Sequence, residues 1–193
     1  MLSDTQLFDL AGRMSVPLEA VAFKDDLPPL KFNRVYIVNL EDELDEHGKP
    51  NTGSHWTAFY TVKHPNDTVD SMYFDPFGAA PPRDVKKFVE KLTGESLPHT
   101  AKDIQSLMGE CCGFFCLAWA HFITASPYRS KDLIQDTESF LSMFDDLNSS
   151  VDFKKNEYVL KHFFQSNDPA NRIPISLKDT IVHKGGKDLK NIL

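Results

Sequence analysis

Cys112 stands directly before Gly113 at the head of an almost wholly apolar run, Phe114-Phe115-Cys116-Leu117-Ala118-Trp119-Ala120-His121-Phe122-Ile123. Its length and its alanines predict a buried helix over residues 113–124 rather than a strand. A cysteine at a helix N-terminus meets unpaired amides and the positive end of the dipole, both of which favour thiolate. Gly113, lacking a side chain, leaves that end open to a substrate carbonyl. A thiolate there can attack an acyl carbon while a neighbouring amide stabilises the resulting oxyanion. Taken alone, Cys111, Cys112 and Cys116 read equally well as small buried apolar residues, the usual fate of free cysteine.

A thiol nucleophile needs a base, and the base needs a group to hold it. His55 opens a β-rich stretch beside Trp56, whose ring could shield an imidazole, and Asp75 closes the next such stretch. If both lie at one end of adjacent strands, the carboxylate can fix the imidazole tautomer and stabilise its charged form. Gln105, seven residues before Cys112, supplies a neutral amide donor suited to an oxyanion. The plainer alternatives are a surface histidine, a turn-initiating aspartate and a surface glutamine. Cys112, Cys116 and His121 match no zinc-ligand spacing, so no metal site is expected.

These residues need elements to carry them. Ser3-Asp4-Thr5-Gln6 has the form of a capping box and predicts a short helix through about residue 12. Residues 35–40 are β-rich and lead into a solvated acidic loop over residues 41–53. Residues 55–62 and 69–75 form two further strands around the turn His64-Pro65-Asn66-Asp67, and so a hairpin. Residues 84–92 have helical character, with Gly94 placed as a C-terminal cap. Two more helices are expected over about 131–144 and 156–165, and a mobile tail over residues 170–193. Helices at both ends and strands between them give the class α+β.

The chain has 193 residues, 41% apolar and 25% charged, which excludes collagen, coiled coil and wholesale disorder. That length fits a single domain spanning residues 1–193, able to bury roughly 70% of its unfolded surface without disulfides or metal. Fifteen phenylalanines point to an aromatic core. With 21 basic and 28 acidic side chains, the formal net charge is −7, which disfavours nucleic acid as a partner. No apolar stretch has the roughly 18 residues of a membrane-spanning helix, and the N-terminus lacks a signal-peptide pattern. Three crowded cysteines suit reduced thiols in an intracellular compartment.

In chain order the blocks Gly53-Ser54-His55-Trp56, Phe74-Asp75-Pro76-Phe77-Gly78, Gln105 and Cys112-Gly113-Phe114-Phe115-Cys116 resemble those of the adenovirus-type cysteine proteases, the adenain family. That family carries Gly-x-His-Trp, Phe-Glu-Pro-Phe-Gly, and a Gln seven positions before Cys-Gly-Leu-Phe-Cys. The resemblance covers about residues 53–121. It implies a papain-like, adenain-type fold: a small mixed or antiparallel sheet flanked by helices, with the nucleophile at the N-terminus of a buried helix. It assigns Cys112 as nucleophile, His55 as general base, Asp75 as orienting acid, and Gln105 with the Cys112 amide as oxyanion hole. It chooses Cys112 over Cys111, which fits neither the Gln spacing nor the Cys-Gly pair, and places Ser54, Trp56 and Gly113 at the substrate.

The implied activity is a viral maturation peptidase cutting capsid or core precursor proteins after glycine, as a monomer in the infected cell and the virion. Family members also occur in virophages and related DNA transposons. Adenovirus enzymes are stimulated by DNA and by a peptide disulfide-linked to a cysteine upstream of the catalytic Gln. This chain has no cysteine before Cys111, so that link cannot form in the same way, and no cofactor is expected. The preference for glycine makes Gly185-Gly186 a candidate self-cleavage site, with Lys187 on the leaving side; a plain flexible linker is the simpler reading. The runner-up function is a protease of ubiquitin-like modifiers, a related family that also orders His-Trp, Asp, Gln and Cys-Gly. A catalytically inactive scaffold is the third.

Overall fold

The computed structural model describes residues 2–106, 109–125, 132–146 and 150–167. In chain order its elements are α1 (Asp4–Arg13), β1 (Leu18–Phe23), β2 (Arg34–Asn39), β3 (Trp56–Lys63), β4 (Val69–Phe74), α2 (Arg83–Thr93), α3 (Cys112–Ala125), α4 (Leu133–Leu141) and α5 (Ser150–Asn167). The described residues form an α+β fold with a mixed sheet of order β1-β2-β3-β4. β1 runs parallel to β2, and the other two pairs are antiparallel. The tail over residues 170–193, with Gly185-Gly186, lies outside the described residues.

Side chains that alternate along the strands divide the core into two faces. Val35, Ile37, Ala58, Tyr60, Met72 and Phe74 pack with residues of α1, α3, α4 and α5. On the other face Tyr36, Val38, Phe59 and Tyr73 meet Val85 and Val89 of α2. Both faces of the two central strands are therefore covered, and β3 is buried from Trp56 through Thr61.

α3 is buried on nearly every side, from Cys112 through Ala120 and again at Ile123, as expected of a helix apolar all round. Trp119 stacks on Phe74 at a centroid distance of 5.2 Å and donates its ring N–H to Thr137 Oγ1 at 3.0 Å. Phe114, Phe115, Phe140, Phe144 and Phe164 are all buried around it. Each contributes on the order of 1.5–3 kcal/mol by leaving water, so α3 is firmly anchored in the core. Eight of the fifteen phenylalanines are buried, while Phe8 is exposed.

The local signals behave as their chemistry requires. Ser3 and Gln6 form the reciprocal capping box of α1. Gly94 ends α2 in the left-handed region at φ 75°. The loop over residues 41–53 is exposed along most of its length. α4 is shorter than the expected 131–144, because Met143 and Phe144 turn into tighter bonds to the carbonyls three residues back; Lys131 is outside the described residues. α5 begins six residues earlier than expected, and β1 carries no sequence signal of its own.

Candidate active site

His55 lies immediately before β3 and Asp75 immediately after β4. The antiparallel register pairs Ala58 with Phe74, so one further step sets Asp75 opposite Thr57 and brings it to the His55 end of the hairpin. His55 Nε2 and Asp75 Oδ1 are 2.8 Å apart. Both side chains are nearly removed from solvent, at 11% and 1% exposure. The same carboxylate oxygen accepts the Phe77 N–H at 2.8 Å, which fixes its aim. The Phe77 ring stacks on the imidazole at 4.2 Å and 16°, a geometry that favours a cationic ring.

Cys112 is the second group that acts on the imidazole, and its side chain raises the His55 pKa. Burial by itself pulls the His55 pKa down. The hydrogen bonds to Asp75 and Cys112, with the negative charge of both groups, outweigh burial and push it up to about 9. The balance of these influences favours the protonated imidazole. Cys112 is the first residue of α3 and 2% exposed, where the first-turn amides have no acceptor inside the helix. His55, Asp75 and Cys112 are thus brought together.

Cys111 and Cys116 are held elsewhere. Cys111 donates to Glu157 Oε1 at 3.4 Å. Cys116 donates to the Trp56 carbonyl at 3.3 Å, and burial, ahead of the charges of Cys112 and Asp75, pushes its pKa well above the ordinary thiol range. Among the described residues no group of three or more His, Cys, Asp and Glu could hold a metal ion, and no described helix is long and apolar enough to cross a membrane.

Gln105 is tied by its backbone to the turn Asp75-Pro76-Phe77-Gly78, which is closed by Gly78 N–H to Asp75 C=O at 2.8 Å. The Ile104 and Gln105 amides both donate to the Pro76 carbonyl, at 2.9 and 3.1 Å. Gly78, at φ 68°, makes that approach possible, since a Cβ there would lie 2.7 Å from the Ala101 backbone. The Gln105 side chain is buried and gives one N–H to the Gly109 carbonyl at 3.0 Å, while its oxygen has no partner among the described residues. The second N–H of the amide is the one a ligand could use.

The residues expected at the substrate divide. Ser54 is exposed beside His55. Trp56 is 6% exposed, with its ring in the core and its N–H donated to the Leu2 carbonyl at 2.9 Å. Gly113 faces the N-terminal segment: a Cβ there would lie 3.1 Å from Leu7 Cδ2 and 3.4 Å from Leu2. Its missing side chain makes room for α1, and the space expected to admit a substrate carbonyl on that side is filled by Leu2 and Leu7. Sequence reasoning also passed over Phe77, Leu2 and Asn39; Phe77 was legible as the aromatic in the block that holds Asp75.

A second imidazole–carboxylate pair, His64 with Asp70 at 2.7 Å, lies at the opposite end of the hairpin. It borders a cleft of about 780 Å³ lined by Tyr60, Val62, Ile123 and Leu133 among others, but no cysteine is among the described lining residues. The cleft therefore lacks the nucleophile that makes the His55 pair chemically interesting. No protein-family model matches the chain, and no curated protein matches it.

Proposed function

We propose that the chain is a cysteine endopeptidase of the adenain, papain-like type, with Cys112 as nucleophile, His55 as general acid and base, Asp75 as its orienting partner, and Gln105 with the Cys112 amide as oxyanion donors. The observation that carries the reading is the buried His55, bonded to Asp75 at 2.8 Å, with Cys112, at the head of α3, acting on the same imidazole. A protonated imidazole beside a cysteine favours the thiolate. In the proposed reaction the Cys112 sulfur adds to the scissile carbonyl, and the oxyanion takes hydrogen bonds from the Cys112 amide and the second Gln105 N–H. His55 then gives its proton to the leaving amine as the C–N bond breaks. The thioester that remains is attacked by water, whose proton passes to His55, and the carboxylic product leaves as the Cys112–acyl bond breaks.

The motif resemblance supplies the substrate class: precursor proteins of a capsid or core, cut after glycine in the infected cell or the virion. A substrate glycine, which has no side chain to accommodate, suits a nucleophile that is only 2% exposed. A protease of ubiquitin-like modifiers is the second reading, supported by aspartate rather than glutamate at position 75.

The test is hydrolysis of a fluorogenic peptide whose acyl half ends in Gly-Gly, by the full chain and by Cys112→Ala. Cleavage by the wild type alone is expected. Absence of cleavage by the wild type, together with no labelling of Cys112 by a glycine-aldehyde probe, would overturn the peptidase reading. A panel of modifier conjugates set against capsid-type peptides separates the two substrate classes.

A further inference from the structure

Asn39 is the last residue of β2, and its side chain is fully buried. Its Oδ1 accepts backbone N–H groups from opposite ends of the acidic loop, from Glu41 at 3.1 Å and from Ser54 at 3.3 Å. One carbonyl oxygen thereby closes the loop at its base. On the far side of Ser54 the sheet takes over: the Leu40 N–H donates to the His55 carbonyl at 3.1 Å, and Asn39 pairs with Trp56. The backbone of His55 is gripped both before and after the residue.

The amide has one orientation. Turned over, its NH₂ would face two N–H donors. As it stands, Nδ2 points to Gly53 and has no acceptor among the described residues. Gly53 has φ 81°, and a Cβ on it would collide with this amide. A buried polar group short of a partner costs about 1–3 kcal/mol. An apolar residue at the end of β2 would avoid that cost but would lose the acceptor that holds Ser54.

We propose that Asn39 is a positioning residue for the general base. By fixing the backbone of residues 53–55 it sets the His55 imidazole between Asp75 and Cys112. The inference rests on the thiol–imidazole reading above, and concerns the geometry of the pair rather than the identity of its substrate. A displacement of about 1 Å at a reacting group can cost about 100-fold in rate, so Asn39→Ala should lower kcat by about that factor with KM little changed. Asn39→Asp keeps the Oδ1 acceptor and both of its bonds, and should recover most of the loss.

The experiment pairs peptide turnover with alkylation of Cys112 by iodoacetamide, followed by mass spectrometry across pH. Alkylation needs the thiol and the imidazole but no peptide. In the wild type the reactive form should persist well below an ordinary thiol pKa of about 8.5. Asn39→Ala, shown folded by circular dichroism, should return Cys112 to ordinary thiol behaviour, and Asn39→Asp should not. A wild type that neither cuts peptide nor is labelled at Cys112 by the glycine-aldehyde probe, but has a shifted alkylation profile that Asn39→Ala abolishes, would retire the peptidase reading and keep the positioning role. An active wild type matched by Asn39→Ala in both readouts would do the reverse. An ordinary thiol profile in the wild type, or a loss that Asn39→Asp fails to restore, also overturns the proposal. Should Asn39→Ala not fold, Gly53→Ala pushes on the same amide from outside, and an unchanged profile there is equally decisive against it.

Discussion

Replacing Asp75 by Asn removes one charge and little else. The Asn Oδ1 can still accept from the Phe77 N–H and from His55, so the turn and the packing should survive. What changes is the balance that holds the imidazole protonated. Burial is the largest influence on His55 and acts downward, and the upward influences of the Asp75 carboxylate are lost in the variant. The His55 pKa should therefore fall from about 9, since the influence of Cys112 alone then opposes burial. Each unit by which the pKa comes to lie below the assay pH lowers the charged fraction, and the turnover that needs the imidazolium, about tenfold. Stability carries a matching signature. In the wild type the raised pKa adds about 3 kcal/mol, fully present below about pH 6.5 and lost as the pH climbs through about 9. Asp75→Asn should lose stability at low pH and lack that alkaline decline. The assays are the pH dependence of kcat/KM, histidine titration by NMR, and denaturant melts between about pH 6 and 10. An alkaline limb that stays near 9 in Asp75→Asn would refute the assignment of the His55 charge to its partnership with Asp75.

Trp56→Phe keeps the ring packing but strands the Leu2 carbonyl, and should cost about 1–3 kcal/mol in urea melts while reducing kcat through the looser seat of α1 against α3. Ser3→Ala removes the α1 capping box and should cost about 1 kcal/mol of stability in urea melts.

Much of the site was legible because each part announces itself locally. Cys112 sits before Gly113 at the head of an apolar run, His55 precedes a strand, and Asp75 opens a turn with Pro76 and Gly78. The register of β3 with β4 then follows from the short turn between them, and it alone brings His55 to Asp75. β1 was illegible because Leu18-Glu19-Ala20-Val21-Ala22-Phe23 has no clean alternation and several helix formers; its strand form comes from pairing with β2, a tertiary effect. Gly113 was read as an opening because a sequence shows that a side chain is missing but not what fills its place, which Leu2 and Leu7 do. Asn39 was invisible as a functional residue for the same reason. Its loop ends, Glu41 and Ser54, are separated by the whole acidic loop, and only the folded chain brings both amides to one oxygen.

The tie between Leu2, Trp56 and Gly113 also dictates the order in which the molecule can be assembled. Leu2 must wait for a partner 54 residues along the chain and for another at Gly113, which lies about twice as far away. Doubling a closed loop costs only about 0.6 kcal/mol, so the final stability hardly registers the distance. The rate of folding does, because long-range contacts are formed against chain entropy before they are rewarded. Cys112 cannot meet His55 until the strand hairpin has formed and α3 has docked on it. A chain still emerging from the ribosome therefore keeps the Cys112 thiol and the His55 imidazole apart until α3 has been made and has docked on the hairpin.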